Sequence, residues 1–152
     1  MIPASARAQF VVVVPEKSPV DSLSLNELRM VFKGFSIDTD QKTPFRIVDF
    51  DPVSNDYYNV LYGAGADTMA KYWLRLIFTS NRVLPPKNFS NAHKLKTFIE
   101  THDDAIGFLP LSLFEKIKGT GIRALIINGR SYHSELYLLT QDLSLPSGLS
   151  RQ

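Results

Sequence analysis

The sequence predicts an α/β fold, a mixed, mostly parallel sheet flanked by helices and resembling no bundle or barrel. Three observations carry that expectation. Val11–Val14 is an unbroken β-branched run, stiff at χ1 and suited to a strand covered on both faces. It feeds within ten residues into a well-signalled amphipathic helix, and the strand-then-helix order recurs along the chain. A composition of 44% hydrophobic and 21% charged residues over 152 positions suits one globular domain, able to bury roughly 70% of its unfolded surface.

Each element has its own signal. Pro15 closes the first strand because it has no N–H to donate. Ser24 is placed to cap the next helix, with Glu27 reaching back and Leu23 stapled to Leu28. Leu25, Leu28 and Phe32 share a face with Val31 at its edge, and Gly34 can leave the helix left-handed. After a polar loop from Phe35 to Pro44, Phe45–Phe50 reads as a second strand, bounded by Asp51-Pro52. Ser54 is expected to cap a short helix from Asn55 to about Tyr62, with Asp56 in its first turn. Gly63-Ala64-Gly65 breaks that helix before a stronger one, about Ala66–Phe78, whose stripe of Met69, Tyr72, Trp73, Leu76 and Ile77 reads as core. Tyr57, Tyr58 and Tyr62 read the same way, and for these three and Trp73 an interface role is the alternative.

Thr79–Phe89 reads as a loop around Pro85-Pro86, and Ser90 as the cap of a helix carrying Leu95, Phe98 and Ile99. Ala105–Leu109 is a third strand, and Pro110 can open a helix over Leu111–Ile117. Ile122–Ile127 reads as a fourth strand, Asn128-Gly129 as a turn and Glu135–Thr140 as a last strand. The whole chain, 1–152, is read as a single domain, with residues 1–8 and 141–152 expected at its frayed margins. Ala4-Ser5-Ala6 and Ala6-Arg7-Ala8 have the small-x-small form of a signal-peptidase site, so a trimmed export signal and an ordinary N-terminus both stand open.

The same residues exclude several function classes. Seventeen basic against fifteen acidic side chains leave +2, too little to point to nucleic acid or a membrane surface. No apolar run is long enough to span a bilayer. The absence of cysteine removes disulfides, zinc-thiolate sites and thiol nucleophiles together. His93, His102 and His133 lack metal-binding spacing, Asp103-Asp104 fits a turn, and Lys94, Lys96, Arg75 and Arg82 fit a solvated face. There is no G-x-S-x-G elbow and no phosphate loop, since Gly63–Ala66 follows a helix instead of a strand. The reading is a protein that is not an enzyme and uses no cofactor or metal.

A valine strand running into Ser22-Leu23-Ser24, then Glu27-Leu28 and Val31-Phe32-Lys33-Gly34, resembles the phosphate-binding subset of type 2 periplasmic binding proteins. Further points of likeness are Val48-Asp49, the segment from Tyr72 to Ser80, Pro85-Pro86 and Ala105–Leu109, so the resemblance covers roughly residues 9 to 140. It is nearest the short, single-lobe members of the phosphate-transporter substrate-binding family. The resemblance implies one lobe of a cleft in an exported, periplasmic protein of ABC transport, with no catalysis. It also implies an anion-binding turn at the start of the second helix, here Ser54-Asn55-Asp56. Ser54 agrees with that pattern, Asn55 and Asp56 depart from it, and Phe50-Asp51-Pro52-Val53 holds an acid where an arginine is implied. Two carboxylates beside phosphate would repel it by about 1–4 kcal/mol each at about 4 Å and intermediate dielectric. A helix N-terminus offers an anion about 0.3–1 kcal/mol in return.

Two functions therefore stand side by side. One is a solute-binding protein for phosphate or another small oxyanion, in transport or sensing, completed by a partner chain or a transporter or envelope protein. The other is an interaction module that keeps the lobe without a small-molecule ligand.

Overall fold

Strand β1 (Arg7–Pro15) runs through the middle of the molecule, and Val11, Val12, Val13 and Val14 are all completely buried. The computed structural model describes residues 7–37, 44–79, 84–134, 137 and 140–142. In chain order, β1 is followed by β2 (Ser22–Leu23), α1 (Leu25–Val31), β3 (Arg46–Phe50), α2 (Ser54–Tyr62) and α3 (Ala66–Thr79). Then come β4 (Lys87–Phe89), α4 (Ala92–Glu100), β5 (Ala105–Pro110), α5 (Leu111–Ile117), β6 (Ile122–Ala124), β7 (Ile126–Ile127) and β8 (Thr140–Asp142).

The main sheet has the order β4-β3-β5-β1-β6, with β8 also paired to β1. β4, β3 and β5 are mutually parallel, while β1 is antiparallel to β5, β6 and β8. One reversed strand among five of common direction makes the sheet mixed and mostly parallel, as the sequence predicts. Parallel strands need crossovers, and α2, α3 and α4 supply them.

Both faces are covered. On one, Tyr57 of α2 stacks on Phe108 of β5 with centroids 3.8 Å apart and planes 6° from parallel. Phe10 and Phe32 meet Tyr57 edge-on, which is the other favourable ring geometry. On the opposite face α4 settles onto the sheet at Gly107, where an added Cβ would lie 3.1 Å from both Ile99 Cδ1 and the Val48 carbonyl. Burying the four valines of β1 alone stabilises the fold by roughly 6–12 kcal/mol before entropy is counted.

The local signals are realised with informative exceptions. Ser24 and Glu27 form the full capping box on α1. Asn128 and Gly129 adopt positive φ, and Ile127 and Arg130 exchange backbone hydrogen bonds across them. Asn91, and not Ser90, caps α4 through its side-chain oxygen and the Lys94 N–H. The stretch expected to be loop through Phe89 ends in β4, because an exposed three-residue edge strand has no apolar alternation to announce it. Ile122–Ile127 divides at Leu125: β6 stays on β1 while β7 leaves to pair with β2. Most of the expected Glu135–Thr140 strand lies outside the described residues, though Thr140 opens β8. Pairing of Arg7 and Ala8 with Gln141 and Asp142 draws parts of both expected margins into the sheet.

The hydroxyl of Tyr57 is buried and has no hydrogen-bond partner among the described residues. An orphaned buried polar group costs about 1–3 kcal/mol. Tyr57→Phe is therefore expected to leave stability unchanged or raise it by about 1 kcal/mol in urea unfolding. A loss of more than 1 kcal/mol would show that the hydroxyl has a partner.

Candidate functional site

The carboxyl ends of β3 and β4 lie side by side, with Asp49 in register with Asn88. From there the chain makes a 3-10 turn over Asp51–Val53 and enters α2 directly. Asp49, Asp51, Ser54, Tyr58 and Asn88, walled by Met69 and Trp73 of α3 and by Pro85 and Pro86, enclose a cavity of about 230 Å³. Its place beyond the strand ends is where open α/β sheets present ligand sites.

Asp49 dominates the chemistry. Its Oδ1 accepts a hydrogen bond from the Tyr58 hydroxyl. Burial pushes the Asp49 carboxyl up to about 6, the Tyr58 hydrogen bond opposes that, and the neighbouring Asp51 charge adds to it. Burial, followed by the Asp49 charge, pushes the Tyr58 hydroxyl well above its ordinary value, so it remains a donor at neutral pH. At pH 7 the cavity thus faces a half-buried carboxylate with a second one, Asp51, at its exposed rim. No Lys, Arg or His is among the described residues that line it.

The three residues of the expected anion turn go to different tasks. The 3-10 turn carries the helix start back by one residue, so Ser54 is the first residue of α2 and not its cap. Val53 precedes it with no side-chain capping bond. Ser54 Oγ donates to the Asp51 carbonyl at 3.4 Å and lines the cavity. Asn55 Oδ1 accepts from the Ala66 N–H at 3.0 Å and so pins the start of α3. Asp56 lies in the first turn of α2, outside the cavity lining. Ser54 is the one of the three that reaches the cavity.

Sequence reasoning missed Asp49, Tyr58 and Trp73 as lining. One signal was available: Tyr58 lies four residues after Ser54, one helical turn along the same face. Trp73 is held by Gly34, whose φ of +88° favours glycine and whose added Cβ would lie 2.8 Å from Trp73 Cη2. Trp73 is 6% exposed, and its buried indole N–H has no partner among the described residues.

Elsewhere the histidines are structural or solvent-facing. His102 stacks on Phe98 at 3.9 Å, and His133 lies beside Tyr132. Asp104 pairs with Arg46 at 3.3 Å and Lys96 with Glu100 at 3.8 Å. No cluster of three side chains able to hold a metal occurs among the described residues. No helix among them is long and apolar enough to cross a membrane.

No family model and no curated protein sequence matches the chain. Solved structures do match its fold. An ABC-type phosphate transport receptor from Vibrio cholerae superposes with a TM-score of 0.64 at 12% identity, over 88% of this chain and 54% of that one. A proposed phosphate ABC transporter substrate-binding protein from Clostridium perfringens, solved with bound phosphate, gives 0.60 at 13% identity over 82% and 46%. A possible phosphate binding protein from Planctomyces limnophilus gives 0.55 at 13% over 80% and 42%. The chain therefore has a fold like one lobe of a type 2 periplasmic binding protein and spans about half the length of the proteins it matches.

The raised Asp49 carboxyl makes a signed prediction. Its folded pKa lies above the unfolded value of 3.8, so folding favours its protonated form. Its penalty is absent below about pH 4, grows as pH rises and is complete above pH 6, on the order of 2–3 kcal/mol. Asp49→Asn keeps an oxygen for Tyr58 and removes the charge. Urea unfolding of this variant should give higher stability than wild type at pH 7.5 and a smaller fall between pH 4 and 6. Identical pH curves would contradict the burial of Asp49.

Proposed function

We propose that the chain works as a non-catalytic solute-binding lobe, exported and used in transport or sensing, with the cavity beyond β3 as its solute site. The observation that carries this reading is the position of that cavity: at the carboxyl ends of two parallel strands, against the start of α2, and in the fold of known solute-binding proteins. The likeness brings phosphate or another small oxyanion as one solute class. For that class the cavity offers the Ser54 hydroxyl and the favourable end of the α2 dipole.

Trp73 is the only tryptophan in the chain and lines the cavity, so its fluorescence reports on this site alone. Titration with phosphate, sulfate, small amines and neutral diols should produce a saturable change for at least one of them. An oxyanion response that weakens about tenfold in Ser54→Ala would assign the solute to that class. A flat response to every compound would overturn the solute-binding reading.

A second reading has its own observation. On the outer side of α3, Phe78 is 81% exposed and Leu74 55%, with Ile77 beside them. Residues spaced by three and four positions form one apolar row, of the kind that docks against protein. This reading makes the lobe an interaction module and predicts a dimer in sedimentation that Phe78→Glu dissolves.

A further inference from the structure

We propose that the cavity beyond β3 takes a small primary ammonium group, held by the carboxylates of Asp49 and Asp51 against the Trp73 ring. This rests on the reading of that cavity as the lobe's solute site and names the class of solute. Four features of the cavity converge on it.

The first is charge. Two carboxylates line the space, and no cationic side chain among the described residues answers them. The same pair that repels an anion attracts an ammonium, and the half-buried setting strengthens that attraction relative to water. The second is hydrogen-bond valence. Tyr58 occupies Asp49 Oδ1, while the Asp51 carboxylate has no hydrogen-bond or ion-pair partner among the described residues. An ammonium brings three donors and no acceptor, which suits unspent carboxylate oxygens.

The third is Trp73 itself. It is the indole among the residues that line the space, the side-chain type that best attracts a cation. A free amine such as an amino alcohol and the tip of a partner's lysine both bring such a group. The fourth is size. A volume of about 230 Å³ equals roughly seven or eight waters at about 30 Å³ each, which is room for a small amine or for the end of a lysine side chain.

The test follows Trp73 fluorescence at pH 7.5 during titration with ethanolamine, with Nα-acetyl-lysine methylamide, with ethylene glycol as the uncharged isostere of ethanolamine, and with phosphate. A saturable response to either amine, at least tenfold tighter than to ethylene glycol, is expected. The tighter amine tells a free solute from a partner's lysine. Asp49→Asn should weaken that response at least tenfold while its circular dichroism and unfolding remain those of a folded chain. Asp51→Asn, at an exposed rim position, should weaken it as well without touching the core. A response to phosphate with none to the amines overturns the ammonium assignment and leaves the solute-binding reading standing. An amine response that survives both substitutions also overturns it. Silence toward all four compounds defeats both.

Discussion

The burial of β1 on both faces is the constraint from which the remaining structure follows. A strand of four consecutive valines cannot leave either side to water, so the chain must bring helices over and under it. It also cannot lie at an edge, and the sheet places β5 along one stretch of it and β6 and β8 along others. The aromatic cluster of Phe10, Phe32, Tyr57 and Phe108 covers one face, and α4 seats itself on the other where Gly107 removes a side chain. A large residue at position 107 would lift α4 from Val48, and a polar residue within Val11–Val14 would be stranded.

The cavity is a by-product of this packing given a chemical character. Because α2 must bury Tyr57 against Phe108, its neighbour Tyr58 is turned toward the end of β3, where Asp49 accepts its hydroxyl. Because Gly34 admits the edge of the Trp73 ring, α3 comes close enough to close the cavity's side. A single lobe supplies these groups from one side only. A solute bound there would have to be small enough to sit within the lobe, or be covered by a second body. The match to about half the length of larger binding proteins fits that geometry.

Much of the fold was legible because its signals are local. The valine run, the Ser24–Glu27 capping box, Gly34 and the Asn128-Gly129 turn each act within a few residues, and each appears where its chemistry requires. The boundaries that went astray depend on distant partners. β4 exists because β3 offers it a ladder, and β6 separates from β7 because β1 and β2 compete for the same segment. The site was less legible for the same reason. The local pattern marked Ser54 only as a helix cap, its place in an anion turn came from the family resemblance, and the 3-10 turn that moved it inside α2 had no local signal. Asp49 and Trp73 read correctly as strand and core residues, yet only the docking of α3 beside β4 makes them walls of one space. Asn55 shows the converse, since its apparent place in an anion turn is overridden by the start of α3 eleven residues on.

Native-state amide hydrogen exchange on the monomeric chain tests most directly whether this lobe stands alone on β1. The amides of Val11–Val14 and of Ile106–Leu109 should be the slowest to exchange, with opening free energies equal to that of global unfolding. Rapid exchange in β1 while the helices remain protected, or protection that appears only when chains associate, would contradict a self-sufficient lobe built around that strand.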